Sequence, residues 1–358
     1  MYTRRSPIIT LIYVFLIFTV VVLLDYSFNR SGFGSKTPII FDDDGSPDGT
    51  IALLYCLTNP KLDVKAIIVS YGESYPNVSI NKIRSLLLFT GHNRIPTAEG
   101  SQSPLFGNNT FPEHYKTLSR DFWGIDGLPT IELNPNTDAT SLIVETIKSS
   151  KRPITYFVSG SLTSLAQALR KDDEIKKNIE KIVIMGGALN FPGNVAMENK
   201  SSQPVAEWNI WLDVAAADEV FRSSVPIFLI PLDSSGQIVW NSKLDIGKLN
   251  KNKNIEGTLA QRIHVRNLSI KGLRSGPLWD LAAAVSIANK GVCSFKNISI
   301  DVIKKGPEVG RIVILANGSI VSVCDKMNYD LVKEDVLAVF QRTEFSRELI
   351  WPQIPLKL

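Results

Sequence analysis

Four carboxylates crowd seven residues of this chain. Asp42, Asp43 and Asp44 stand together, and Asp48 follows Gly45-Ser46-Pro47. An apolar run, Pro38-Ile39-Ile40-Phe41, leads into them, and residues 50–57 read as a helix beyond them. Ser46 is a good N-cap and Pro47 suits the first helical position, so Asp48 falls in the first turn. Clustered carboxylates on such a strand-to-helix turn repel one another strongly unless a cation neutralises them. An all-oxygen site suits a hard divalent cation. The plainer alternative is an acidic capping turn, although capping needs only one Asp.

The other unusual residues also follow apolar runs. Residues 64–70, 154–158, 182–185 and 227–232 read as strands, and residues 80–90 and 162–169 as helices. This alternation predicts an α/β fold: a single domain whose mostly parallel central sheet carries helices on both faces. Such sheets bind ligands outside the carboxyl ends of their strands. Val158-Ser159-Gly160-Ser161-Leu162 and Met185-Gly186-Gly187-Ala188 stand at such ends. Gly193-Asn194-Val195, Ala206-Glu207-Trp208-Asn209-Ile210-Trp211 and Gly276-Pro277-Leu278-Trp279-Asp280-Leu281-Ala282-Ala283 come later. Residues 242–275 are basic with a helical pattern and suit a lid over the site.

The acidic opening alone fits two enzyme classes. It resembles the Asp-x-Asp-Gly-Ser/Thr motif of haloacid-dehalogenase-like phosphatases, with Asp42 as nucleophile, Asp44 as acid and magnesium as cofactor. It also resembles the Asp-x-Asp-x-x-x-Asp-Asp opening of the inosine-uridine preferring nucleoside hydrolases, through Asp42, Asp44 and Asp48. The later motifs favour the second class over residues 38 to about 340. They look most like its purine-specific inosine-adenosine-guanosine branch, in which a Trp precedes the late Asp, as Trp279 precedes Asp280 here.

That resemblance implies hydrolysis of the N-glycosidic bond of ribonucleosides, purines preferred, by a metal-bound water. It implies a calcium ion held by Asp44, Asp280 and the backbone carbonyl of Ser159, with Asp42 in support. Asp44 would take the proton of the water as general base. Asp48, Asn194, Glu207 and Asn209 would hold the ribose hydroxyls. Trp279 and Tyr115 would stack on the base, and Glu73 would lie beneath it. The histidines His92, His114 and His264 share no spacing and carry no role in this reading. A small-molecule nucleoside is the expected partner, and a homo-oligomer is compatible with the reading.

One position departs from the family pattern. The opening motif should end in two consecutive acids, the second a calcium ligand, but Gly49 stands there. A calcium site wants six to eight oxygens, so the loss matters. Asp43 or a water could compensate. The alternative is a nucleoside- or ribose-binding relative with weakened catalysis, since the sugar set is complete.

Composition bounds the rest. The chain has 358 residues, 44% hydrophobic and 21% charged, an ordinary globular balance. Its net charge of +4 is too small to imply a nucleic-acid surface. Residues 8–24 are apolar behind a basic segment at 1–7, and read as a signal anchor or signal peptide. Residues 25–36 then form a flexible tether, residues 37–351 the hydrolase-like domain, and residues 352–358 a tail. This placement expects a single-pass membrane protein of the secretory pathway with a lumenal or extracellular domain, or alternatively a secreted protein. Six glycosylation sequons, at Asn77, Asn108, Asn199, Asn267, Asn297 and Asn317, permit it. Of three cysteines, Cys56 reads as a buried thiol, and Cys293 and Cys324 either pair or stay free.

Overall fold

The apolar run before the acids becomes an interior strand of the main sheet. The structure, a computed structural model, describes residues 35–120, 128, 138–195, 205–241, 245 and 254–342. Its first elements are β1 (Thr37–Asp43), α1 (Pro47–Thr58), β2 (Leu62–Val69), α2 (Pro76–Phe89), β3 (Thr97–Glu99), α3 (Glu113–Arg120) and α4 (Ala139–Ser149). Next come β4 (Ile154–Val158), α5 (Thr163–Lys171), β5 (Ile179–Met185), α6 (Trp208–Leu212), α7 (Val214–Phe221), β6 (Ile227–Ile230) and α8 (Leu232–Ser235). Then follow β7 (Val239–Asn241), α9 (Ile255–Ile270), β8 (Ser275–Pro277), α10 (Trp279–Ala288), β9 (Cys293–Val302), β10 (Ile312–Ile314), β11 (Ser319–Met327) and α11 (Tyr329–Phe340).

Nine strands form one sheet in the order β10-β9-β11-β6-β5-β4-β1-β2-β3. All pairings from β11 to β3 are parallel, and β9 runs antiparallel to both β11 and β10. The antiparallel end is held further by a disulfide between Cys293 and Cys324, whose Cα atoms are 5.6 Å apart. Cys56 is a buried free thiol. A short hairpin-like pair, β7 with β8, stands apart from the main sheet.

Alternation along β1 sorts its side chains onto two cores. Ile39 and Phe41 join the core that includes Ile51, Leu54, Leu281 and Val285 of α1 and α10. Ile40 joins the opposite core, with Tyr156, Ile143 and Leu165. The sheet is thus covered on both faces, as a parallel sheet must be. The order also reverses at β1: the chain runs outward through β2 and β3, then returns to place β4 on the other side of β1. The carboxyl ends of β1 and β4 therefore stand at a switch point, where ligands of such sheets bind.

Several expectations are sharpened or corrected. The strand expected over residues 227–232 stops at Ile230, because Pro231 has no N–H to give a ladder and Leu232 opens α8. The expected lid segment holds α9 at its centre, capped by Asn254, whose side chain accepts from the Gly257 N–H at 2.8 Å. The rest of that segment lies partly outside the described residues, as do residues 8–24 and the tail. Among the described residues no helix is long and apolar enough to cross a membrane. The expected placement in the secretory pathway, anchored or secreted, is corrected to this extent: among the described residues nothing provides a membrane segment, and residues 8–24, on which the expectation rested, lie outside them.

The packing between the sheet and its helices is tight enough to test. Phe157 is fully buried in β4 and meets Phe41 edge-on at 5.2 Å between ring centres. Phe157→Ala should cost about 3–5 kcal/mol of unfolding free energy. Urea denaturation of the full chain measures this, and a loss under about 1 kcal/mol would mean that the core collapses around the gap.

Candidate active site

The switch point carries the acids. β1 and β4 run side by side, and the Ser159 N–H donates to the Asp42 carbonyl at 2.8 Å, so the segments that follow the two strands start next to each other. Asp42 points to the core face opposite α1. Its carboxylate accepts from the hydroxyls of Ser70 and Tyr156, the latter at 2.7 Å, and is fully buried. Burial raises its carboxyl to about 7 despite those two bonds. Asp43 turns the other way and accepts from Ser159 Oγ at 2.9 Å and from the Gly45 N–H at 2.8 Å. Burial, with the charges of Asp48 and Asp42 adding to it, raises Asp43 to about 8.

Asp44 lies past the end of the strand. Its Oδ2 accepts from the Glu73 N–H at 2.7 Å, while its Oδ1 is buried with no hydrogen-bond partner. The carboxylate fits because glycines flank it: a Cβ on Gly72 would stand 2.1 Å from Asp44 Oδ2, and one on Gly160 2.9 Å from Asp44 Cβ. Two helix N-termini complete the group. Ser46 caps α1 by accepting from the Gly49 N–H at 2.9 Å, and its Oγ donates to Asp280 Oδ2 at 3.1 Å. The Asp280 N–H, in the first turn of α10, donates to Asp48 Oδ2 at 3.3 Å. The exposed N–H groups of a helix start favour negative charge there. Burial first, and then the neighbouring carboxylates, nevertheless push Asp44 and Asp280 well above the usual range. Burial raises Asp48 as well, against the pull of the Asp280 N–H and the Lys271 charge.

A cavity of about 290 Å³ opens beside these acids. Asp44, Asp48, Glu73, Tyr115, Ser159, Asn194, Glu207, Asn209, Trp279 and Asp280 all line it, whereas Asp42 does not. Glu207 caps α6 and accepts from the Gly187 N–H at 2.9 Å and the Ile210 N–H at 3.3 Å. Asn194 Oδ1 accepts from the Trp208 N–H at 3.0 Å, and Asn209 Nδ2 donates to the Met185 carbonyl at 3.0 Å. Each of the three side chains is thus tied to backbone, at Gly187 and Ile210, at Trp208 and at Met185, and each keeps further hydrogen-bonding capacity for a ligand.

The cavity also takes residues that the motifs alone do not single out. Phe111 stacks on Trp208 at 4.1 Å and 21° between planes, and meets Tyr115 edge-on at 5.9 Å. With Trp279 they give the cavity four aromatic rings. His264, Asn267 and Lys271 reach it from α9 and its C-cap. Their spacing of three and four is a helical stripe, the one sequence signal that could have found them. The His264 Nε2–H donates to the Trp240 carbonyl at 3.4 Å, leaving Nδ1 as a buried acceptor with no partner. Burial lowers this imidazole to about 4, so it is neutral at physiological pH. Asn267 Oδ1 is likewise buried and unpartnered.

These donors fit a hard cation in kind. Asp43, Asp44, Asp48 and Asp280 supply only oxygen, share a buried region, and include one orphaned carboxylate oxygen on Asp44. Among the described residues no three acidic, imidazole or thiol side chains converge on one point as they lie. Asp43 and Asp280 are turned onto the hydroxyls of Ser159 and Ser46.

Fold and site together define an α/β protein whose ligand cavity stands at a sheet switch point, acidic on one side and aromatic on another. The family model of the inosine-uridine preferring nucleoside hydrolases matches residues 39–334, and the chain belongs to that family. The pyrimidine-specific ribonucleoside hydrolase RihA of Citrobacter koseri is 35% identical over 199 residues, covering 55% of this chain and 60% of that relative. RihA of Escherichia coli O1:K1 matches to the same extent. The chain therefore spans about three-fifths of the length of these curated relatives. A plant nucleoside hydrolase structure superposes with a TM-score of 0.76 at 23% identity, covering 86% of this chain and 99% of that one. A purine-preferring ribonucleoside hydrolase from Gardnerella vaginalis gives 0.75 at 23% identity, with 85% and 98% covered. At such identities these structures speak for the fold alone. The family match leaves the phosphatase reading of the acidic opening without support.

The buried Glu207 makes stability depend on pH. Its carboxyl is raised from 4.5 to about 7, chiefly by burial. The folded state holds a proton that the unfolded chain has lost, so this contribution is full below pH 4.5 and vanishes as pH rises through 7. Up to about 3 kcal/mol is at stake. Glu207→Gln, which cannot ionise, should make the dependence between pH 4.5 and 8 shallower, leaving the part that Asp42 and Asp43 contribute. Urea midpoints of both proteins across that range measure it, and parallel curves would show that Glu207 is ionised throughout.

Proposed function

We propose that this protein hydrolyses the N-glycosidic bond of ribonucleosides, purine nucleosides preferred, releasing ribose and the free base. The observation that carries the reading is one cavity lined by buried carboxylates and amides together with four aromatic rings. A ribose needs the first set and a nucleobase the second. Asp48, Asn194, Glu207 and Asn209 hold the sugar hydroxyls, which demand charged or amide partners when taken out of water. Asp44 acts as general base toward the attacking water, through the Oδ1 that no protein group occupies. Asp44, Asp280 and the Ser159 carbonyl would hold a calcium ion, with Asp42 supporting them only from the opposite face of β1, and such an ion would lower the pKa of the attacking water. As the anomeric carbon becomes positive, the surrounding carboxylates stabilise it.

At the other end, Trp279, Tyr115, Phe111 and Trp208 offer faces for stacking, and Glu73 offers an acceptor near the base. The number of rings supports a purine, the larger stacking partner. The pyrimidine-specific relatives argue for testing both kinds of substrate side by side. Trp279, not a histidine, stands immediately before Asp280, and His264 is neutral and bonded through Nε2–H, so it serves as an acceptor for the bound nucleoside rather than as an acid.

Ribose release from inosine, adenosine, guanosine, uridine and cytidine, with calcium or with chelator, tests the whole reading. Release that chelator stops is expected, and no release from any of them would overturn it. Asp44→Asn should lower kcat by roughly 10²–10⁴-fold with unchanged circular dichroism. Unchanged turnover would remove Asp44 from the chemistry. Trp279→Ala should cost purine nucleosides about 1 kcal/mol more in kcat/KM than pyrimidine nucleosides. Equal losses would count against stacking as the source of preference.

A further inference from the structure

Position 49 has no carboxylate, yet the space beside it holds one. Gly49 is the third residue of α1, and a Cβ built there would lie 1.8 Å from Asp43 Oδ1 and 2.5 Å from Asp43 Cγ. Atoms not bonded to each other cannot approach so closely. A side chain at 49 and the observed carboxylate at 43 therefore exclude each other. The reason lies in the strand. Ile39 and Phe41 face α1, so Asp43, two residues on, emerges on the same face, under the start of that helix. Asp42 leaves on the opposite face, where Ser70 and Tyr156 engage it.

We propose that Asp43 supplies to the cation site the carboxylate that a residue at position 49 would otherwise provide, delivered from β1 instead of from α1. This rests on the nucleoside hydrolase reading of the site, which calls for a cation. Asp43 is 3% exposed, and both its partners, the Ser159 hydroxyl and the Gly45 N–H, are neutral. A carboxylate offers about four lone-pair directions, so two bonds leave capacity for an ion. Asp43 does not itself line the cavity, but its neighbour Asp44 and its partner Ser159 do. The independent sign of a missing ligand is Asp44 Oδ1, buried and unpartnered beside it. The exchange of an acid at 49 for one at 43 keeps the count of carboxylates at the switch point, which a plain loss would not.

Calorimetric titration of the full chain with calcium, paired with the calcium-dependent rise in Tm, tests this without recourse to turnover. Asp43→Asn, which keeps the shape and can still accept from Ser159, should weaken calcium binding by at least about tenfold. Gly49→Ala should weaken it too, by pushing the Asp43 carboxylate aside. The double variant Asp43→Ala with Gly49→Asp, which moves the acid to the helix, should recover affinity to within about threefold of the parent, a difference under 1 kcal/mol. A role confined to holding Ser159 or the Gly45 turn predicts no such recovery. Calcium binding that is lost in Asp44→Asn but kept in Asp43→Asn overturns this inference alone. So does a folded double variant that binds no better than Asp43→Asn. A parent chain that binds no calcium overturns the cation site and this inference together.

Discussion

The rest of the site depends on keeping several like charges buried in one place. Asp43, Asp44, Asp48 and Asp280 gather where β1 ends and α1 and α10 begin, and burial raises all four. Such an arrangement is costly on its own terms. The fold offsets part of the cost mainly with neutral donors, and the Lys271 charge adds its pull on Asp48. The N-termini of α1 and α10 face the group, Ser46 bridges from one to the other, and backbone N–H groups of Gly45, Glu73 and Asp280 each meet a carboxylate. The remaining imbalance is what makes the place useful, because it creates demand for a cation or a developing positive charge.

Around this core the scaffold is arranged to leave room. Gly72 and Gly160 sit where any side chain would collide with Asp44. The sugar-facing residues are held by bonds to backbone on neighbouring segments, Glu207 at Gly187, Asn194 at Trp208 and Asn209 at Met185. The aromatic residues Phe111, Tyr115, Trp208 and Trp211 form a small core of their own, packed beside the cavity instead of beneath the sheet. Rigid rings built in this way can receive a flat ligand without first being ordered by it.

Much of this is legible in the sequence because it is local. Apolar runs of four to seven residues followed by Gly, Ser and Asp mark strands and the turns after them, and β4 matches its expected span residue for residue. The motif around Ser46 and Pro47 sets the start of α1 through capping chemistry that needs no tertiary partner. The motifs that carry the family likeness are also short and ordered, so Asp44, Asp48, Ser159, Asn194, Glu207, Asn209, Trp279 and Asp280 could be gathered before any fold was known, and the cavity takes all eight.

Other features depend on distance in space. That Asp42 and Asp43 part to opposite faces follows from strand alternation, but which face holds α1 is decided by the packing of Ile39 and Phe41 against that helix. Phe111 and Trp208 become a stacked pair only when segments nearly a hundred residues apart are folded together. His264 shows no motif at all and gains significance from the face that α9 turns to the cavity. The pairing of Cys293 with Cys324 needed the antiparallel register of β9 and β11. Sequence by itself determined the elements and the chemistry at their ends, because propensity, capping and alternation act over a few residues. Tertiary structure alone decided which carboxylate fills the space beside Gly49, because that is a question of two atoms competing for one volume.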